Sequence, residues 1–255
     1  MPHGVNWFQG RRSVSDTEAL LLRPYSRTVS SRLSQAFLAS CVVLVAANLL
    51  GNLWLSPALY LPGNAAVALL VLWLVAKAGA EPDDLGLNPE RAALGLQVGA
   101  TVAAVVVGVL LVGVALPATR SFFEDERAAE MSLGILAYHA LLRIPLGTAV
   151  FEELAFRGVL YGLGKRLWSA PRAALVSSAL FGLWHIAPLL SVVDRNAGVA
   201  DAAPTAIAVV GGVLGASIVG LFLIWVRERA DSLAAPIVVH AVVNSVALVI
   251  AFLVV

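Results

Sequence analysis

Polar and ionisable side chains interrupt three apolar stretches in the second half of the chain. They are Glu152, Glu153, Arg157, His185, His240 and Asn244. Charged groups at bilayer depth are costly, and by default they indicate a functional site. A carboxylate in a low-dielectric cavity can act as a general base, and with a histidine it can activate water. The set therefore predicts hydrolysis of an amide bond.

Helical spacing predicts different tasks for the two glutamates. Glu153 and Arg157 are four residues apart, so they share a helix face and form a favourable ion pair. Glu152 points about 140° away from Arg157, since successive residues turn by about 100°. We therefore expect a structural Glu153–Arg157 pair and a Glu152 that is free to act on water.

The histidines occur in two further four-residue pairs. His240 and Asn244 share a helix face, where two donors can hold a substrate carbonyl and the negative charge that develops on it. Phe181 has the same spacing from His185 and is expected to fix the rotamer of that histidine. The residue types also allow a zinc site at Glu152, His185 and His240. The HExxH motif is absent, and both the metal-free and the zinc versions stay open.

The composition places these residues in a membrane. Hydrophobic residues make up 60% of the chain and charged residues 13%, against about 25% charged in a soluble domain. The net charge of +1 argues against a nucleic-acid partner. The single cysteine, Cys41, excludes an intrachain disulfide and a Cys-based metal site. The expected surroundings are the lipid bilayer, in the plasma membrane of a bacterium.

The apolar stretches predict an all-α polytopic bundle of about seven transmembrane helices with an internal polar cavity. The predicted spans are approximately 33–55, 64–78, 92–116, 132–164, 172–186, 205–226 and 233–255. Residues 1–32 are expected to be a mobile, basic cytoplasmic tail, residues 33–255 the membrane domain, and residues 132–255 its catalytic core. Pro145 predicts a kink in the fourth span. The pairs Gly95–Gly99 and Gly211–Gly215 predict close helix packing.

Loop charges predict the orientation. With the N-terminus inside, twelve basic residues fall in inner segments: Arg11, Arg12, Arg23, Arg27, Arg32, Lys77, Arg91, Lys165, Arg166, Arg172, Arg227 and Arg229. The outer loops hold three: Arg120, Arg127 and Arg195. Cytoplasmic loops carry the excess of Lys and Arg, so a cytoplasmic N-terminus is predicted.

The polar residues also match a known family. The run from Glu152 to Arg157 resembles the EExxxR motif of the CAAX-protease and bacteriocin-processing membrane proteins, the CPBP or Abi family, which includes CAAX prenyl protease 2-like enzymes. The run from Phe181 to His185 resembles its FxxxH motif, and the run from His240 to Asn244 its HxxxN motif. The likeness covers about residues 150–250, and all three motifs occur in order.

This resemblance implies an intramembrane endopeptidase that acts on membrane-associated protein or peptide substrates. It implies that Glu152 and His185 activate water and that His240 and Asn244 stabilise the oxyanion, while Glu153 and Arg157 shape the site. In this family both a metalloprotease and a metal-independent glutamate mechanism have been put forward. Two other functions remain open: a non-catalytic bacteriocin-immunity or membrane assembly factor, and a proton-coupled transporter that uses Glu152 and the histidines as a relay.

Overall fold

The computed structural model describes residues 16–54, 56–195 and 205–255. Within these ranges the chain is helical and has no strand. We number the long helices in chain order: α1 Asp16–Leu53, α2 Tyr60–Lys77, α3 Pro89–Ala115, α4 Leu133–Leu167, α5 Ala170–Trp184, α6 Ile186–Arg195, α7 Thr205–Ala230 and α8 Ala234–Val254. Pro57–Leu59, Ser121–Phe123, Pro117–Arg120 and Glu126–Ala129 are single turns.

Seven segments of the described chain are long and apolar enough to cross a membrane, which confirms the predicted fold class. They are Ser30–Asn52, Pro57–Lys77, Pro89–Ala115, Leu133–Leu167, Ala170–Leu190, Thr205–Ala230 and Ala234–Val254. Helix α1 begins at Asp16, within the segment predicted to be a tail, and residues 1–15 of that segment lie outside the described residues. The fifth span joins α5 to the first turn of α6.

Side chains of α1, α2, α4 and α5 form the main apolar core. The core centres on Phe37, Val75, Phe156, Leu160 and Phe181, all nearly inaccessible to solvent. The apolar surface that faces outward remains exposed along the spans, as expected where lipid replaces water as the solvent. The core therefore holds α4 and α5, which carry two of the three motifs, against the N-terminal helices.

The predicted small-residue packing is correct for one pair of glycines and wrong for the other. A Cβ atom on Gly99 would lie 2.7 Å from the Ala235 carbonyl oxygen, and one on Gly95 would touch Ser232, so α3 and α8 are in close contact. Among the described atoms, nothing lies within 4 Å of the Cβ positions of Gly211 and Gly215. These two glycines lie on the outward face of α7, where four-residue spacing alone does not produce a helix contact.

Helix α4 is longer than one straight crossing requires, and much of it is π-helix. Its π segments are His139–Val150 and Glu153–Leu160, and Pro145 lies inside the first. The sequence predicted a kink at this proline; the structure has a widened helix with i→i+5 hydrogen bonds. Glu152 lies between the two π segments, so the change in helical register coincides with the functional motif.

Candidate active site

Neighbouring helices satisfy the backbone groups that the π segments leave free. Pro145 has no N–H to donate, and in an i→i+5 register its missing partner is the carbonyl of Ala140. Ser245 of α8 supplies that hydrogen bond, with its Oγ 2.7 Å from the Ala140 oxygen. Freed backbone groups within a membrane require such partners, so α8 stabilises the irregular part of α4.

Two more side chains of neighbouring helices also donate to carbonyls of α4. Asn64 of α2 donates to the Gly147 carbonyl over 2.9 Å, and Ser177 of α5 donates to the Phe156 carbonyl over 2.7 Å. The irregular helix is thereby tied to α2, α5 and α8. These ties set the position of the carboxylates that α4 carries.

The innermost part of the site is a charged cluster that is closed to solvent. The Nη1 atom of Arg157 donates to Glu153 Oε1 over 3.1 Å, and the exposed fraction of each residue is 0%. His240 Nδ1 lies 2.7 Å from the same carboxylate oxygen. The expected Glu153–Arg157 ion pair is therefore present, and Glu153 also orients His240.

Phe181 lies at the centre of this cluster. The Arg157 guanidinium carbon is 3.8 Å from the Phe181 ring centroid, at cation–π distance. The rings of His185 and His240 meet the same phenyl ring edge-on, with centroids 4.5 and 6.3 Å away. Phe181 thus contacts both histidines and the arginine, a larger part in the site than fixing one rotamer.

Glu152 occupies the less enclosed side of the cluster. Its Oε1 accepts a hydrogen bond of 3.1 Å from the indole N–H of Trp184, and its Oε2 lies 3.9 Å from His240 Nε2. Glu152 and His240 are 6% and 7% exposed. Glu152 Oε2 is buried and has no hydrogen-bond partner among the described residues, so it is available to bind a water or a substrate oxygen beside His240.

His185 and Asn244 are less buried than Glu153, Arg157 and His240. His185 is the residue after α5, and its Nδ1 is 2.8 Å from the Phe181 carbonyl oxygen. A carbonyl only accepts hydrogen bonds, so Nδ1 carries the proton and Nε2 of neutral His185 is an acceptor. His185 is half-buried, and Asn244, one helical turn beyond His240, is exposed. The site is therefore accessible from the side on which His185 and Asn244 lie.

The three predicted zinc ligands do not meet at one point. Nowhere in the described ranges do three His, Cys, Asp or Glu side chains have an arrangement that holds a metal ion. His240 is oriented by Glu153 and faces Glu152, whereas His185 is held by its own helix. This arrangement does not fit a zinc ion at Glu152, His185 and His240, and no chemical step is derived through one.

Sequence reasoning did not assign Trp184 to the site, and it missed Asn48 entirely. Trp184 hydrogen-bonds Glu152, and the side chain of Asn48 on α1 donates to the Trp184 carbonyl over 3.0 Å. The signal for Trp184 was an indole N–H within a span, which requires an acceptor. Asn48 carried the weaker signal of one amide in an apolar helix, and only the tertiary structure pairs it with Trp184.

Comparison with protein families finds a match for the part of the chain that carries the site. Residues 134–246 match the family model described as Rce1-like, type II CAAX prenyl endopeptidase. This part of the chain is similar to the Rce1-like family. The Rce1-like segment begins near the start of α4 and ends two residues after Asn244, so it includes all three motifs. The resemblance noted from the motifs is confirmed, and the family is one of intramembrane proteases.

The remaining comparisons add no relative. Neither the search of curated proteins nor the search of solved structures found a match to the chain. Helices α1 to α3 lie outside the Rce1-like segment. Helices α1 and α2 nonetheless support the site, because Asn48 of α1 donates to the Trp184 carbonyl and Asn64 of α2 donates to the Gly147 carbonyl.

Proposed function

We propose that the protein hydrolyses peptide bonds of membrane-associated proteins or peptides, with Glu152 as the general base. The observation that carries this proposal is the pair of polar atoms Glu152 Oε2 and His240 Nε2, which face each other over 3.9 Å. They lie at the edge of a charged cluster that is otherwise enclosed. The Rce1-like family match supports the same reaction class.

The charges of the cluster favour different protonation states, and therefore different roles, for His240 and His185. If both glutamates and Arg157 are ionised, a protonated His240 makes the cluster neutral. Neutrality is favoured in a low-dielectric interior. A protonated His240 donates to Glu153 through Nδ1 and offers an N–H at Nε2 to an oxyanion. Neutral His185, held through Nδ1 by a carbonyl, offers a basic Nε2.

The reaction follows from these assignments. Glu152 removes a proton from water, and the water oxygen attacks the carbonyl carbon of the scissile amide. His240 Nε2–H and the Asn244 amide stabilise the negative charge on the carbonyl oxygen. The proton passes by way of His185 to the leaving nitrogen as the C–N bond breaks. Glu153, Arg157 and Phe181 hold His240 in position throughout.

A substrate screen tests this proposal. Purified protein is incubated with a membrane extract, and new peptide termini are identified by mass spectrometry beside Glu152→Gln. We expect termini that form with the unaltered protein and are absent with Glu152→Gln. Glu228→Gln is the matched control, because Glu228 is exposed and pairs with Lys165 near the C-terminal end of α4, and it should yield the same termini as the unaltered protein. Identical termini from all three proteins would contradict the proposal.

A further inference from the structure

The fifth span is interrupted between α5 and α6, and Pro188 accounts for the interruption. Helix α5 ends at Trp184, and α6 begins at Ile186. In a continuous helix the N–H of residue 188 would donate to the Trp184 carbonyl, but proline has no N–H and its ring collides with that carbonyl. The break therefore deprives the Trp184 carbonyl of its usual helical partner.

The chain tightens its last turn before the break, and His185 takes part in this turn with both its backbone and its ring. The His185 N–H bonds the Gly182 carbonyl, three residues back, over 3.0 Å. The His185 ring bonds the Phe181 carbonyl, with Nδ1 2.8 Å from that oxygen. After the break, α6 resumes with a bond of 2.9 Å from the Leu189 N–H to the His185 carbonyl. The orientation of the histidine ring thus depends on where the helix breaks.

Asn48 of α1 supplies the donor that Pro188 lacks. Its Nδ2 atom donates to the Trp184 carbonyl over 3.0 Å, from 136 positions away in the sequence. Asn48 lies within the first span, Ser30–Asn52, and outside the Rce1-like segment. Backbone groups that a proline frees within a membrane require partners from neighbouring helices. The amide of Asn48 therefore stabilises the break from a different helix.

The peptide bond that Asn48 holds connects two residues of the candidate active site. The Trp184 carbonyl belongs to the peptide bond between Trp184 and His185. The indole of Trp184 donates to Glu152 Oε1 over 3.1 Å, and the next residue in the chain is His185 itself. One hydrogen bond from α1 therefore fixes both the tryptophan that orients Glu152 and the backbone that carries His185.

Water is a poor substitute for the Asn48 amide at this position. Asn48 and Trp184 border a cavity of about 310 Å³ whose other lining side chains are apolar, among them Cys41, Leu44 and Phe156. Apolar cavities in proteins stay dry. Without the Asn48 donor, the Trp184 carbonyl would stay unpaired until the peptide bond rotated, and that rotation would move the side chains on both sides of it.

We propose that Asn48 is a positioning residue of the reaction, which places Glu152 and His185 through the peptide bond between Trp184 and His185. The inference rests on the proposed peptidase function and extends it to α1, a helix outside the Rce1-like segment. Asn48 acts through a backbone carbonyl and has no role of its own in the bond-breaking steps. Its loss is therefore expected to lower kcat and to leave KM nearly unchanged.

The test compares Asn48→Leu, which keeps the size of the side chain and removes its donors, with Asn48→Gln, which keeps the donors. With a quenched prenylated peptide in liposomes, Asn48→Leu should lower kcat about 3- to 30-fold, the factor for one hydrogen bond between membrane helices. Asn48→Gln should restore part of the rate. Asn52→Leu is the matched control and should keep the full kcat, because exposed Asn52 donates to the Asn48 carbonyl of its own helix over 2.8 Å. Thermal unfolding verifies the folding of each variant, and Asn48→Ala replaces the leucine variant if that variant does not fold.

A second measurement needs no cleavage and so separates this inference from the proposed function. The indole N–H proton of Trp184 is observed by NMR in detergent and assigned by its loss in Trp184→Phe. A weaker hydrogen bond to Glu152 moves this resonance upfield, so Asn48→Leu should shift it, whereas Asn48→Gln and Asn52→Leu should leave it near its original position. A shifted resonance in a protein that cleaves nothing would count against the peptidase and support the positioning. A resonance that Asn48→Leu leaves in place, or an unchanged kcat in a protein that cleaves the peptide, would overturn the inference.

Discussion

Trp184 illustrates how one side chain outside a motif's defining positions can determine the chemistry of the motif. Its indole N–H is the hydrogen-bond donor to Glu152 Oε1, which leaves Oε2 directed at His240. The Trp184 ring also packs against Phe151 and Phe156, with centroids 5.8 and 5.7 Å away. The indole therefore orients the carboxylate from a fixed position in the core.

Trp184→Phe is expected to keep the packing and remove the hydrogen bond. A hydrogen bond to a charged group contributes about 1.5–3 kcal/mol, so kcat should fall about tenfold or more while KM changes little. Trp225→Phe is the control, since Trp225 is exposed on α7 and stacks on Phe222. Steady-state cleavage rates and thermal unfolding of both variants provide the measurement. An unchanged kcat for Trp184→Phe would show that Glu152 does not need this donor.

For single residues, the sequence predicted contacts within one helix and missed contacts between helices. The Glu153–Arg157 pair followed from a four-residue spacing. The hydrogen bond from His240 to Glu153 joins residues 87 positions apart, and no local pattern carries such information. For the same reason His240 was expected to pair with Asn244 at an oxyanion, and its attachment to Glu153 was not foreseen.

The π segments of α4 are the feature of the fold that positions Glu152, Glu153 and Arg157. Seven spans, their approximate bounds and the irregularity at Pro145 were predictable, because hydropathy and proline chemistry are local properties. The type of irregularity was not predictable. It depends on Ser245, Asn64 and Ser177, which donate to α4 carbonyls from three other helices.

Ser245→Ala is expected to destabilise the protein by about 0.6–2 kcal/mol, the range for a hydrogen bond between membrane helices. The Ala140 carbonyl would lose its only side-chain donor among the described residues. Ser34→Ala is the matched control, because Ser34 bonds the Ser30 carbonyl of its own helix at an exposed position. Equilibrium unfolding in mixed detergent compares the two. Equal stability of Ser245→Ala and the unaltered protein would show that the π segment does not depend on α8.

For the whole molecule, the arrangement of loops defines two opposite ends. The turn at residues 78–88 lies at one end, where Arg227 donates to the Asp84 carbonyl over 2.8 Å and Arg166 bonds the Asp84 carboxylate over 2.7 Å. A polar cavity lined by Arg127, His139 and Arg143 lies at the other end. The excess of basic residues at the first end predicts that it faces the cytoplasm, so the cavity is expected to open on the opposite side of the membrane.

Labelling of single cysteines tests this orientation. In a Cys41→Ser background, which removes the only cysteine, Glu126→Cys and Asp83→Cys each introduce one thiol at opposite ends. A membrane-impermeant maleimide applied to intact cells should label the first variant and leave the second unlabelled until the cells are lysed. The reverse pattern would place the N-terminus outside and this polar cavity on the cytoplasmic side.

The most direct test of the enzyme as a whole is the cleavage rate of a quenched prenylated peptide by purified protein in liposomes. The unaltered protein is compared with Glu152→Gln and His185→Ala, with folding of each verified by thermal unfolding. Loss of a general base costs about 10²–10⁴ in rate, so we predict cleavage by the unaltered protein and a loss of that size in both variants. Folded variants that cleave as fast as the unaltered protein would contradict the assignment of Glu152 and His185 to water activation.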